Sequence, residues 1–150
     1  MSDHTPSARD FFSPEASDHI IAAIQAAEQE TAGEIRVHLE DTCRPETALG
    51  HARRLFEKLG MTQTQGRNGV LIYLAIQDRQ FAIVGDTGIH ALVPAGYWDG
   101  LADTLVRHFR AGAYEQGLIS IIRDIGQQLA LHFPRQDHDA NELPDEISFS

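Results

Sequence analysis

A chain of 150 residues, 42% hydrophobic and 23% charged, is long enough to bury one substantial core and has an ordinary globular composition. Twelve basic against twenty-two acidic residues give a net charge of -10, a field that repels phosphate backbones and anionic lipid and so argues against nucleic acid as a partner. No apolar run approaches the roughly 20 residues that span a bilayer, and the single cysteine, Cys43, excludes an internal disulfide and any multi-cysteine metal site.

The first residues, MSDHTPSARDFF, lack a basic stretch followed by an apolar one, the mark of a signal peptide. They read as a flexible N-terminus over residues 1–12 of a soluble, cytoplasmic protein. Ser13-Pro14-Glu15 then combines an N-cap, a proline at the first helical position and an acid in the first turn. Ile20, Ile21, Ile24 and Ala27 continue that helix at its own period. Residues 34–40, EIRVHLE, alternate strictly between polar and apolar, the pattern of a half-exposed strand near a sheet edge. Pro45 is placed to begin a second helix, whose apolar face is Ala48, Leu49, Ala52, Leu55, Phe56 and Leu59 and whose C-cap is Gly60.

Residues 70–76, VLIYLAI, carry no charge and read as the central strand, covered on both faces. Four polar residues, Gln77, Asp78, Arg79 and Gln80, separate them from a second strand over residues 81–84, predicting an antiparallel hairpin. Gly85, Asp86, Thr87 and Gly88 end it. A short turn or helix over residues 91–95 leads to a third helix, with Asp99 and Asp103 near its start and Arg107, His108 and Arg110 near its end, the polarity the helix dipole favours. A last helix over residues 114–133 stops at Pro134. Strand, helix, strand implies a right-handed crossover and a parallel pair. The fold class is therefore α/β: a three-layer α/β/α sandwich with a small mixed sheet, parallel pair plus hairpin, covered by about four helices. The domain occupies residues 13–133, and residues 134–150 form an acidic tail on the surface or in solvent.

This topology sends the polar loops to two ends of the sheet. One end gathers Glu40, Asp41, Asp78 and Arg79, outside the carboxyl ends of the parallel strands where ligands of open α/β sheets sit. Its carboxylates are suited to a hard cation, Ca2+ or Mg2+, with Arg79 on an anion. The opposite end gathers Glu34, Arg67, Asn68, Asp86 and His90, where Asp86-Thr87-Gly88 is either a strand-ending turn or an anion-binding nest. The eight histidines include no HExxH and no pair at ligand spacing on one helix, and no phosphate-loop, GxSxG or organic-cofactor fingerprint is present. No residue stands out as a nucleophile.

The segments TAGEIRVHLE, RNGVLIYLAIQDRQFAIVGDTGI and HFRAGAYEQGLISIIRDIG, in that order, resemble the TPM domain family, named for thylakoid, phosphatase and membrane founding proteins. The resemblance covers roughly residues 11–133, and the tail HDANELPDE looks like the family's short, soluble branch. It implies a compact α/β sandwich and, for some members, acid phosphatase activity or binding of divalent cations, often calcium, at acidic loops. By resemblance, Asp78 and Arg79 match the family's hairpin pair, Asn68-Gly69 its strand start and Asp86-Thr87-Gly88 its glycine turn. The chain departs from longer members at His90, where they often carry an acid, and at Ala95, where many carry Asp. Two functions are expected: a divalent cation held by Glu40, Asp41 and Asp78 with Arg79 on a phosphomonoester, or a noncatalytic interaction module recruiting a protein partner through the acidic surface or tail.

Overall fold

The structure, a computed structural model, describes residues 6–135 and 147–150. Its sheet is built outward from the uncharged run: β1 (Glu34–Glu40), β2 (Gly69–Ala75), β3 (Gln80–Gly85) and β4 (Ser148–Phe149) lie in the order β3-β2-β1-β4. β1 and β2 are parallel from Glu34 opposite Gly69 to Glu40 opposite Ala75, and β3 returns antiparallel to β2. Five helices accompany it among the described residues: α1 (Pro14–Glu28), α2 (Ala48–Lys58), α3 (Thr87–His90), α4 (Tyr97–Arg110) and α5 (Tyr114–His132). The expected mixed α/β sandwich is the observed fold.

Alternation along the strands divides the core in two. Ile35, Val37 and Leu39 of β1, Ile72 and Leu74 of β2 and Ile83 of β3 point into the larger cluster, with Ile20 and Ile24 of α1, Leu105 of α4 and Leu118, Ile121, Ile122 and Ile125 of α5. Leu71, Tyr73, Ala75 and Ala82 face the other way, under Ala48, Ala52, Leu55 and Phe56 of α2. Each fully buried aliphatic side chain contributes about 1.5–3 kcal/mol. The first helix begins as its sequence dictates, with the Ser13 hydroxyl accepting from the Ala16 amide and Pro14 at the first position.

Several expectations are corrected. Pro45 does not start a helix: it follows a cis peptide in the loop, and α2 begins at Ala48 with Thr47 as N-cap, its hydroxyl accepting from the Gly50 amide. β1 is not half-exposed, because β4 flanks it and Glu34, Arg36 and His38 are buried. The glycine turn is itself helical, with Asp86 capping α3.

Of the residues assigned to the flexible N-terminus, Ala8 and Phe12 are buried in the larger cluster. Of those assigned to the tail, Ile147 is also buried there, and Ser148 and Phe149 pair with His38 and Leu39. The acidic stretch over residues 136–146 lies outside the described residues.

Candidate functional site

At the carboxyl end of the parallel pair, each of the three expected carboxylates already holds partners. Asp78 reaches back from the hairpin to the loop after β1, and its side chain is 2% exposed. Its Oδ2 accepts from the Thr42 hydroxyl at 2.5 Å and from the amides of Cys43 at 2.8 Å and Arg44 at 3.3 Å. Arg44 Nε lies 2.7 Å from Oδ1. The Thr42 hydroxyl first, then the Cys43 amide, hold this carboxyl well below the usual range, since both bonds favour the charged form. Burial and the adjoining Asp78 push the Cys43 thiol up. Asp41 accepts from the Ala8 amide at 2.7 Å. Arg79 stands exposed at the hairpin tip in a left-handed conformation, φ 53°.

Glu40 is the centre of a longer chain of hydrogen bonds that the sequence did not announce. It accepts from the Tyr73 hydroxyl at 2.7 Å and from Ser150, and His51 Nε2 lies 2.5 Å from Oε1 as an ion pair when the ring is protonated. Burial works to raise its pKa, but the bonds from Ser150 and Tyr73 outweigh it and the carboxyl is lowered. His38 lies between two hydroxyls, Ser148 Oγ 2.7 Å from Nδ1 and Ser150 Oγ 2.6 Å from Nε2. Because Ser150 donates to Glu40, it accepts from Nε2–H, and Nδ1 accepts from Ser148. Burial holds the His38 pKa down at about 4. For a cation to occupy Glu40, Asp41 and Asp78, each would exchange present bonds for metal ligation. Among the described residues no three His, Cys, Asp or Glu side chains gather as a cation cage.

The opposite end is assembled differently. Arg67, at φ 49°, turns its guanidinium onto Asp86, with Nε 2.7 Å from Oδ2 and Nη2 2.8 Å from Oδ1. The Gly88 amide donates to the Arg67 carbonyl at 2.8 Å, so close an approach that a β-carbon at 88 would stand 2.0 Å from the Gly66 oxygen. His90 is exposed, and its Nδ1 accepts from Trp98 Nε1 at 3.0 Å. An indole only donates, so in the neutral ring the proton sits on Nε2. Trp98 in turn occupies the space a side chain at 85 would need, 2.2 Å from the β-carbon position. The structure thus brings Arg67, Asp86 and His90 to one surface. Glu34 and Asn68 are buried beside it, linked by the Glu34 amide donating to the Asn68 carbonyl.

That surface is a groove. One hollow of about 300 Å³ is lined by Leu49, Arg53, Ile83, Val84, Gly85, His90, Pro94, Gly96, Trp98 and Asp99. A second of about 280 Å³ adds Phe56, Glu57, Thr62, Arg67, Asp86 and Thr87, and shares Arg53, Val84, Gly85 and His90 with the first. Residues from both faces of the sheet line it, α2 on one side and the α3–α4 region on the other, so it sits on the free edge of β3. Leu49, Arg53 and Trp98 were not among the expected site residues. Leu49 and Arg53 lie on α2 and Trp98 on α4, and only the packing of those helices against either side of β3 brings them together. Leu49, expected on the core-facing side of the second helix, is instead 38% exposed, and helical spacing alone does not distinguish it from its buried neighbours.

Comparison with known proteins agrees with this architecture. The family model described as the TPM domain matches residues 7–128. The BA42 protein of the psychrophilic bacterium Bizionia argentinensis, solved by NMR, is similar over 100% of both chains at 37% identity, with a TM-score of 0.86. The N-terminal domain of a P. gingivalis protein shares the fold at 20% identity over 86% of this chain and 84% of its own, TM-score 0.70. The N-terminal domain of a Corynebacterium glutamicum protein does so at 18% identity over 79% and 74%, TM-score 0.59. No curated protein matches the chain. With a family model matched across most of its length and a full-length similarity of this degree, the chain belongs to the TPM domain family.

Proposed function

We propose that this TPM domain is a noncatalytic binding module whose contact surface is the groove on the free edge of β3. The observation that carries the reading is the joining of two hollows through the shared Arg53, Val84, Gly85 and His90, with apolar walls at Leu49 and Trp98 and a few placed polar groups, the mixture that recognition sites use. The test is a screen of small peptides and small anions read by backbone amide shifts. Saturable shifts at Val84, Gly85 and His90 support the reading; shifts confined to Thr42, Cys43 and Asp78 overturn it.

The rival reading is a divalent cation at Glu40, Asp41 and Asp78, with Arg79 meeting a phosphomonoester. It draws support from the position of these residues, on loops and strand ends outside the carboxyl end of the parallel pair. Calorimetric titration of Ca2+, Mg2+ and Mn2+ decides it. Saturable binding that vanishes in Asp78→Asn would carry that reading in place of ours.

A further inference from the structure

The two edges of the sheet are treated differently. β1 is flanked by β4, whereas β3 ends the sheet with no strand beyond it among the described residues. The direction of its backbone groups follows from the ladder. The Asp86 amide donates to the Gly69 carbonyl, while the Ile76 amide turns the other way to Glu40 of β1. Odd-numbered residues of β2 therefore bond to β3, and with Gly85 opposite Val70 and Val84 opposite Leu71 the inward pairs on β3 are Gln80, Ala82 and Val84. Phe81, Ile83 and Gly85 consequently turn their amides and carbonyls outward, and Ile83 and Gly85 line the groove.

Exposed edges are ordinarily blunted by charged side chains, proline or a bulge, because they template added strands. β3, QFAIVG, has none of these. Its edge is instead set between two walls at the floor of the groove, where Ile83 is 3% exposed. The walls also carry an uncommitted charge. Arg44 pairs with Asp78, Arg54 with Glu46 and Arg67 with Asp86, but Arg53, at the junction of the two hollows, forms no ion pair among the described residues. On the opposite wall Trp98 and Pro94 offer apolar contact.

Resting on the binding-module reading, we infer that the partner enters as an extended peptide segment that adds a strand to β3, placing an acidic side chain on Arg53 and an apolar one against Leu49, Pro94 and Trp98. Main-chain bonds to Ile83 and Gly85 supply a sequence-independent part of the affinity, and the Arg53 contact supplies selectivity. Arg53 and Asp99 stand on different walls, so the segment's acid is favoured on the α2 side of the added strand.

The experiment uses a phage-displayed library of random octapeptides selected on the folded full chain, followed by synthesis of the enriched sequences. The expected sequences carry an acid beside apolar residues. They bind Arg53→Glu, whose fold is checked by its amide spectrum, about tenfold more weakly or worse. Single N-methylation of the peptide should weaken binding about tenfold at every second position and little at those between, since alternate amides of an added strand face β3. Peptides that bind at the groove, with affinity lost in Leu49→Asp, yet tolerate N-methylation throughout would overturn strand addition and leave the binding-module reading standing. No enriched sequence would overturn both.

Discussion

Arg67 clasps Asp86 with two parallel bonds, Nε–Oδ2 at 2.7 Å and Nη2–Oδ1 at 2.8 Å, tying the loop that leads into β2 to the cap of α3. The same Asp86 accepts from the Thr87 amide at 2.7 Å, so one carboxylate fixes the β3–α3 corner from both sides. The bond to Asp86 raises the Arg67 pKa. Arg67→Ala should lower the melting temperature, and Arg67→Lys should recover only part of the loss, because an ammonium cannot make the parallel pair. Thermal melts of the two variants check this.

The corner also depends on Gly88. A β-carbon there meets the Gly66 oxygen at 2.0 Å and the Arg67 oxygen at 2.7 Å, both backbone atoms with little freedom to yield. Gly88→Ala should therefore destabilise the domain by about 1–3 kcal/mol, measured by urea unfolding, with an unchanged unfolding slope.

Acid should weaken the attachment of β4. His38 has its folded pKa depressed to about 4 by burial, so on acidification the unfolded chain takes up this proton first. The stability involved is present above the unfolded histidine value, near 6.5, and is lost as pH falls toward 4; across that window it amounts to roughly 2–3 kcal/mol. Glu40, whose carboxyl is also lowered, adds loss in the same direction below its unfolded value. Urea unfolding from pH 7 to pH 4 should show this slope in wild type, flattened in His38→Gln.

Cys43 provides a probe of the hairpin. Its thiol pKa is raised by burial and by Asp78, so wild-type protein should alkylate slowly near neutral pH. Asp78→Asn removes both the negative charge and the strong acceptor for Thr42 and Cys43. The loop should loosen and alkylation quicken several-fold, as followed by mass spectrometry.

Much of the fold could be read directly from local pattern. The alternation of EIRVHLE gave β1 its observed bounds, and the uncharged run and polar tetrapeptide gave the β2–β3 hairpin to within one residue at each strand end. What escaped has a physical reason in each case. β4 is two residues long and exists through its pairing with His38 and Leu39, a contact 110 residues away in the chain for Ser148 and His38. The burial of His38 goes with the hydroxyls of Ser148 and Ser150 that the added strand brings to its ring, and not with any local period. Arg67 and Asp86 were placed at one end of the sheet because hairpin topology alone fixes that. The groove needed Leu49, Arg53 and Trp98, whose approach depends on how α2 and α4 pack across a strand neither of them adjoins in sequence.

The most direct test of the groove as the working surface is calorimetric titration of one library-selected octapeptide into wild type, Arg53→Glu and Asp78→Asn. The account predicts equal affinity for wild type and Asp78→Asn and a loss of about tenfold or more in Arg53→Glu. Affinity lost in Asp78→Asn and unchanged in Arg53→Glu would contradict it and move the site to the carboxyl end of the parallel strands.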